Sequence, residues 1–392
     1  MHSTAETLRT IVLIGPAYPY RGGNALFMSY LYEALIPYFR VHLINYTLLY
    51  PTILFPGTTQ FDKSNTLTKV VPSERLLHSI YPPSWWRVAR RIRELSPHLV
   101  AFDWWNPFFA LSHYTICSLL GKAYKHKTLF ITENVVSHEG RRIDTVLTAL
   151  GLSRASAFLA LSEQVARDLT KFARGRPIYC SELPVFGTFY AQTPSTLTQE
   201  AAKARLGFAP DVKLLLFFGY VRPYKGLDVL LRAMPFIIQN DPQIKLLVAG
   251  EFYDNPRPYE HLVHTLGIHQ HVRIINSFIP NEEVAQYYTA CDAVVLPYKS
   301  ATQSGVVGIA YGFERPVIVT NVGGLAESVE EGKTGFIVPP ESPRDLAAAV
   351  QKLYAQQHST DYAAHIRSRA QRNAFGNIHT VFSDIIQHLS SM

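Results

Sequence analysis

Two cations, Arg222 and Lys225, stand close together in the segment GYVRPYKG, directly after an apolar run that ends at Phe218. A guanidinium binds phosphate oxygens bidentately, and a lysine adds a compact point charge. A second stretch, Leu296 to Glu327, reads LPYKSATQSGVVGIAYGFERPVIVTNVGGLAE. Its pattern is a buried strand ending at Pro297, a polar turn, a short apolar helix, a second strand from Pro316 to Thr320, and a Gly323-Gly324 turn into another helix. Helix N-termini carry unpaired N–H groups and partial positive charge, so such turns beside strand ends form an anion cradle. Cations and cradle together suit a diphosphate. Each has an ordinary reading as well: two solvated surface cations, and one routine repeat of a parallel sheet. Their common placement at strand ends favours the site.

The elements needed to position these residues are legible as alternating strands and helices. Ile11 to Ile14 is a short apolar strand, followed by the loop GPAYPYRGGN and a helix with Phe27, Tyr30, Leu31, Ala34 and Leu35 on one face. The Gly22-Gly23 pair lets backbone approach a ligand at that helix start, although it is not the GxGxxG dinucleotide pattern. Leu99 to Phe102 delivers the aromatic run DWWNPFF to a strand end, as core packing or as an apolar-lined pocket. Thr128 to Thr132 delivers Glu133, Asn134 and His138 to its own end. A polar stretch from Thr188 to Glu200 reads as an interdomain linker. A second set of αβ units follows, with strands at Lys213–Phe218, Ile244–Ala249, His271–Asn276 and Ala293–Pro297. Asn281 is expected to cap one helix, and Ser342 with Asp345 to form a capping box on another. The fold class expected is α/β, two successive doubly wound domains whose ligands sit at the carboxyl ends of strands.

The chain of 392 residues is long enough for two domains, and its 47% hydrophobic and 17% charged residues suit a globular protein. No apolar run reaches the roughly 18 residues needed to span a bilayer, and the start MHSTAETLRT lacks a secretory pattern. Cys117, Cys180 and Cys291 are isolated, which points to a reducing compartment and to neither a disulfide framework nor a zinc site. The net charge of +7 is uneven. Residues 1–196 hold 20 Lys+Arg against 12 Asp+Glu, and the remainder 17 against 18. A basic first half points to an anionic partner such as a phospholipid surface, a phosphorylated acceptor or a nucleic acid, or simply to a solvated basic face. The helix SWWRVARRIRE can lie on an anionic membrane or be an ordinary surface helix with core tryptophans.

The segments FFGYVRPYKGLDVLLRAMP, FIPNEEVAQYYTACDAVVLPY and PVIVTNVGGLAESVEEGKTGFIVPPESPRDLAAAV resemble the C-terminal domain of family 4 retaining glycosyltransferases. GPAYPYRGGNALF resembles that family's first glycine loop. The resemblance is specific over residues 205–355 and thinner over 10–190. It implies the GT-B fold, two Rossmann-like domains facing across an interdomain cleft. Residues 1–190 would be the acceptor-side domain, 191–204 a linker, 205–361 the nucleotide-sugar domain, and a long helix from Tyr362, within 362–392, would cross back to the first domain.

Carried over by position, Arg222 and Lys225 would hold the donor diphosphate, beside Gly219, with Gly22 and Gly23 facing it from the first domain. Three departures stand out. Relatives have Gly-Arg where this chain has Gly219-Tyr220. They place two glutamates, for the sugar and the ribose, where this chain has Ala301 and Ile309. They commonly have a histidine where this chain has Glu133, with His138 a few residues on. Gln303 and Ser304 offer hydrogen bonds to sugar hydroxyls, and Gly305 and Val306 supply N–H groups. Arg222, Lys225, Glu133 and His138 are therefore the expected catalytic set. The resemblance implies a metal-independent, retaining transfer from a nucleoside-diphosphate sugar to a lipid-linked or polysaccharide acceptor, with no cofactor. The setting would be cytoplasmic, peripheral on the inner membrane face, in cell-envelope or exopolysaccharide biosynthesis, with no nucleic-acid partner. The missing glutamates keep open a catalytically silent GT-B protein that binds nucleotide sugar or a partner enzyme. A nicotinamide-dependent oxidoreductase lacks its GxGxxG here.

Overall fold

A computed structural model describes residues 8–55, 57–65, 69–135, 142–186 and 197–392. Contacts divide the chain into two compact units, one of residues 1–62, 69–183 and 374–392, the other of residues 63–68 and 184–373.

The first unit is built on seven strands: β1 (Thr10–Ile14), β2 (Arg40–Leu48), β3 (Glu74–His78), β4 (Leu99–Trp104), β5 (Thr128–Thr132), β6 (Ala157–Ala160) and β7 (Ile178–Cys180). Their order is β3-β2-β1-β4-β5-β6-β7, with every pairing parallel. Strands β1, β4, β5 and β6 are buried along their whole length, as expected where helices cover both faces of a parallel sheet. Helices α1 (Gly23–Leu35), α2 (Pro82–Leu95), α3 (Ala110–Leu120), α4 (Arg142–Leu152) and α5 (Glu163–Ala173) provide that cover. The chain winds outward from β1 to β3 and then returns to β4 on the other side of β1. Such a switch point opens a crevice at the strands' carboxyl ends. The DWWNPFF run is largely core: Trp104 and Phe109 are buried, and Trp104 packs on Phe130 and His113. In α2, Trp85 is buried and Trp86 is 51% exposed.

The second unit repeats the plan with β8 (Lys213–Phe218), β9 (Ile244–Ala249), β10 (Val272–Ile275), β11 (Ala293–Leu296), β12 (Val317–Thr320) and β13 (Gly335–Val338). Their order is β10-β9-β8-β11-β12-β13, again parallel throughout. Its helices are α6 (Gln199–Arg205), α7 (Leu227–Asn240), α8 (Arg257–Thr265), α9 (Asn281–Ala290), α10 (Gly305–Gly312), α11 (Pro343–Gln356) and α12 (Tyr362–Gln371). Part of the stretch read as linker is thus helical, because Thr198 caps α6 by accepting from the Ala201 N–H. Asn281 is the first helical residue of α9, not its cap. Its N–H donates to Ser64 Oγ at 2.9 Å, and Pro280 holds the cap position. Ser342 does cap α11, accepting from the Asp345 N–H.

The segment read as one long helix from Tyr362 is two. Asn373 and Gly376, both weak helix formers, interrupt it between α12 and α13 (Ile378–Ser390). The chain passes from the second unit to the first at this break. In the first unit, Phe375 then meets Phe27 edge-on, His379 stacks on Tyr38 at 3.8 Å, and Tyr179 shares a hydrogen bond with His388.

Candidate functional site

In the second unit the switch point lies between β8 and β11, and the loops after these two strands are tied together. The Lys299 N–H donates to the Tyr224 carbonyl at 2.7 Å, and the Lys299 ammonium pairs with Asp228 at 2.8 Å. Gly226, with φ +67°, passes so close to β11 that an added Cβ would lie 1.9 Å from the Pro297 carbonyl oxygen. Only glycine fits there without strain. On the far side, the Thr320 hydroxyl donates to the Tyr298 carbonyl, and the Gly324 N–H to the Thr302 carbonyl.

This frame brings Gly219, Lys225 and Val306 together. A Cβ on Gly219 would sit 3.5 Å from Lys225 Nζ and 3.9 Å from a Val306 methyl. Lys225 therefore lies at the N-terminus of α10, below the Tyr298 ring, with Nζ 5.6 Å from the ring centroid. Ser304 caps α10 by accepting from the Val306 N–H at 3.3 Å, and its hydroxyl lies 3.4 Å from the Tyr298 hydroxyl. Lys225 is buried and makes no ion pair among the described residues. Burial, and then the Arg222 charge, push its pKa down to about 7. Arg222 lies over the Tyr253 ring at 5.0 Å, and that ring packs on Tyr220. Gln303 keeps its side-chain oxygen buried with no hydrogen bond. Ala301 is buried, and Gly323 (φ +50°) passes against its carbonyl. A cation beside a glycine and a helix N-terminus, with no acidic partner among the described residues, has the chemistry to hold an anion.

In the first unit the loop after β1 is clamped by Asn45 of β2. Its side-chain oxygen accepts from the Ala17 N–H at 3.1 Å, and its amide donates to the Ala17 and Tyr18 carbonyls. Gly22, with φ +107°, precedes α1, and no side chain caps that helix. Gly23 has open space where a Cβ would stand. Glu133 follows β5, its N–H bonded to the Trp104 carbonyl of β4, so it arrives beside Asp103. Both side chains are buried and both pKa values are raised: Asp103 by burial and then the Glu133 charge, Glu133 by burial. His138 lies outside the described residues.

Tyr298, Asn45 and Asp103 were not singled out from the sequence. Asp103 opens the very run DWWNPFF whose aromatics drew notice. Its acid gains meaning only from the β4–β5 pairing. Among the described residues no group of three or more His, Cys, Asp or Glu side chains could hold a metal ion, and no helix is long and apolar enough to cross a membrane.

Residues 212–356 match the model of the family "Glycosyl transferases group 1". A D-inositol 3-phosphate glycosyltransferase of Catenulispora acidiphila is 34% identical over 168 residues, 41% of this chain and 39% of that protein. One from Corynebacterium glutamicum is 29% identical over 197 residues, 48% of this chain and 47% of that protein. The chain thus spans less than half the length of these curated relatives. Among solved structures, Anabaena HepE in complex with UDP-glucose is similar over 98% of this chain and 100% of that one, with TM-score 0.73 and 18% identity. Sucrose-phosphate synthase from Thermosynechococcus elongatus is similar over 98% of this chain and 99% of that one, with TM-score 0.73 and 19% identity. The two parallel α/β sheets therefore have the GT-B fold, and the likeness to the glycosyl transferases group 1 family lies in residues 212–356.

Proposed function

We propose that this chain is a retaining glycosyltransferase that moves a sugar from a nucleoside-diphosphate sugar to a lipid-linked or polysaccharide acceptor. The observation that carries the reading is the cradle of Gly219, Lys225 and the α10 N-terminus within the family-matched segment. Support also comes from HepE, which shares the fold and was solved with UDP and with UDP-glucose. In a retaining transfer, positive charge develops on the sugar carbon while negative charge develops on the departing diphosphate. The Lys225 ammonium and the α10 N–H groups stabilise that diphosphate without a metal ion. The acceptor hydroxyl adds on the face the diphosphate leaves, and its proton passes to the departing phosphate oxygen. Gln303, whose buried side-chain oxygen has no hydrogen bond among the described residues, would accept from a sugar hydroxyl.

The anionic membrane surface is part of the same reading. On α2, Trp86, Arg87, Arg90 and Arg93 are exposed, and the preceding Ile80 and Tyr81 are exposed as well. Such an aromatic and basic face suits the cytoplasmic leaflet, where a lipid-linked acceptor would be met.

The test is a thermal-shift series with UDP-, GDP- and ADP-glucose, followed by assays for transfer and for slow donor hydrolysis. One donor should raise the melting temperature and be turned over, and Lys225→Ala should reduce the shift and abolish turnover. Absence of turnover, with donor affinity unchanged in Lys225→Ala, would end the proposal. Ala301 and Ile309, standing where relatives carry carboxylates, favour a second reading: a silent protein that binds nucleotide sugar. Donor binding without any turnover would select it.

A further inference from the structure

Helix α10 lends its N-terminus to the donor cradle, yet its sequence is poorly suited to hold a helix. Three of its eight residues are glycines, Gly305, Gly308 and Gly312, and three more, Val306, Val307 and Ile309, are β-branched. Glycine is among the weakest helix formers, β-branched residues lose rotamer freedom in a helix, and so short a helix is marginal on its own. Neither Gly305 nor Gly308 has a left-handed backbone, so conformation gives no reason for a glycine at either place. Close approach does. A Cβ on Gly308 would stand 2.7 Å from the Pro184 carbonyl oxygen and 3.2 Å from the Phe186 ring, and a Cβ on Gly305 would stand 3.2 Å from that ring. The two glycines are three residues apart and so share a face. Val307, Ala310 and Tyr311 are buried on another face. Phe186 is itself 2% exposed. The strap from Pro184 to Phe186 is also where the chain changes units, since Leu183 belongs to the first and Pro184 to the second.

We infer that Phe186 is a positioning residue for the donor diphosphate: its ring, seated on Gly305 at the first turn, holds the α10 N-terminus beside Gly219 and Lys225. The inference rests on the glycosyltransferase reading and adds to the donor site a residue that acts through α10. First-turn N–H groups bind an anion only while they point at it together, and their field falls off within one turn. Removing the ring leaves a gap beside a glycine, into which the first turn frays. The same reasoning sets the sign of a change at Gly305. An alanine there crowds the ring in the natural chain, but supports the helix once the ring is gone.

The experiment is a double-substitution cycle read by calorimetry of nucleoside-diphosphate binding, below the unfolding transition of each variant. UDP, GDP and ADP are titrated into the natural chain, and the one that binds is carried to Phe186→Ala, Gly305→Ala and the two together. Phe186→Ala is expected to weaken binding about tenfold. Gly305→Ala should weaken binding in the natural chain and strengthen it in the Phe186→Ala chain, a reversal that ordinary core packing of Phe186 would not produce. Should Phe186→Ala fail to fold, Phe186→Leu takes its place in the cycle. Unchanged affinity in the folded Phe186 variant, or the same effect of Gly305→Ala in both chains, would overturn the inference and leave the donor reading intact. Failure of all three nucleotides to bind the natural chain would remove both.

Discussion

Lys225 is buried and makes no ion pair among the described residues, and its behaviour with pH follows from that. Its pKa in the fold, about 7, lies below the usual 10.5. Between those values the unfolded chain binds more protons, so this group makes stability rise with pH across that window, and its destabilisation is complete below pH 7. A bound diphosphate reverses the shift by supplying the missing charge. Binding of UDP at pH 8 is therefore expected to take up close to one proton. Calorimetry in Tris and in HEPES would read this as a buffer-dependent enthalpy. Lys225→Met should remove the dependence and weaken UDP binding about tenfold, roughly 1.4 kcal/mol. A binding enthalpy identical in both buffers for the natural chain would refute the assignment. Lys225 was legible in the sequence because a strand end, a glycine and a cation are local. The Tyr298 ring above it and the Asp103 carboxyl beside Glu133 were not. Their partners are set by strand order, and nothing near Asp103 in the chain announces that β5 will lie next to β4.

Elements carry the next part of the argument, through the loops that glycines allow to touch. At Gly226 a side chain would meet both a left-handed backbone and the Pro297 carbonyl. Strain of the first kind costs of order 1–3 kcal/mol, and the clash adds to it. Gly226→Ala is expected to lower the melting temperature by about 4–8 °C and to weaken donor binding, because the loop carrying Lys225 must withdraw from β11. An unchanged melting curve would show that the two loops are not held as described. The strands themselves were readable as unbroken apolar runs, since both sheet faces are covered. The Ser342 cap was readable for the same local reason as Lys225. The split between α12 and α13 was harder. One glycine and one asparagine are weak signals until the contacts of Phe375 and His379 show why the chain must turn there.

At the scale of the whole molecule, two doubly wound units were visible as a repeated alternation of strand and helix, whereas the exchange of segments between them was not. Residues 63–68 belong to the second unit although they lie deep in the first half of the chain: the Asn281 N–H donates to Ser64 Oγ, and the Asn65 N–H to the Glu282 carboxylate. The uneven charge also belongs to this scale. Vesicles containing phosphatidylserine should sediment the protein and release it as salt rises, and neutral vesicles should not. Replacing Arg87, Arg90 and Trp86 together should abolish sedimentation, and its persistence in that variant would reject α2 as the contact. The return of α13 has one further result, and it concerns time. Chains emerge from the ribosome N-terminus first, and domains generally fold as they appear. Here the first unit to be synthesised is the last to be completed. The surfaces of Phe27, Tyr38 and Tyr179 wait for residues 374–392, by which point every residue of the second unit has already been made.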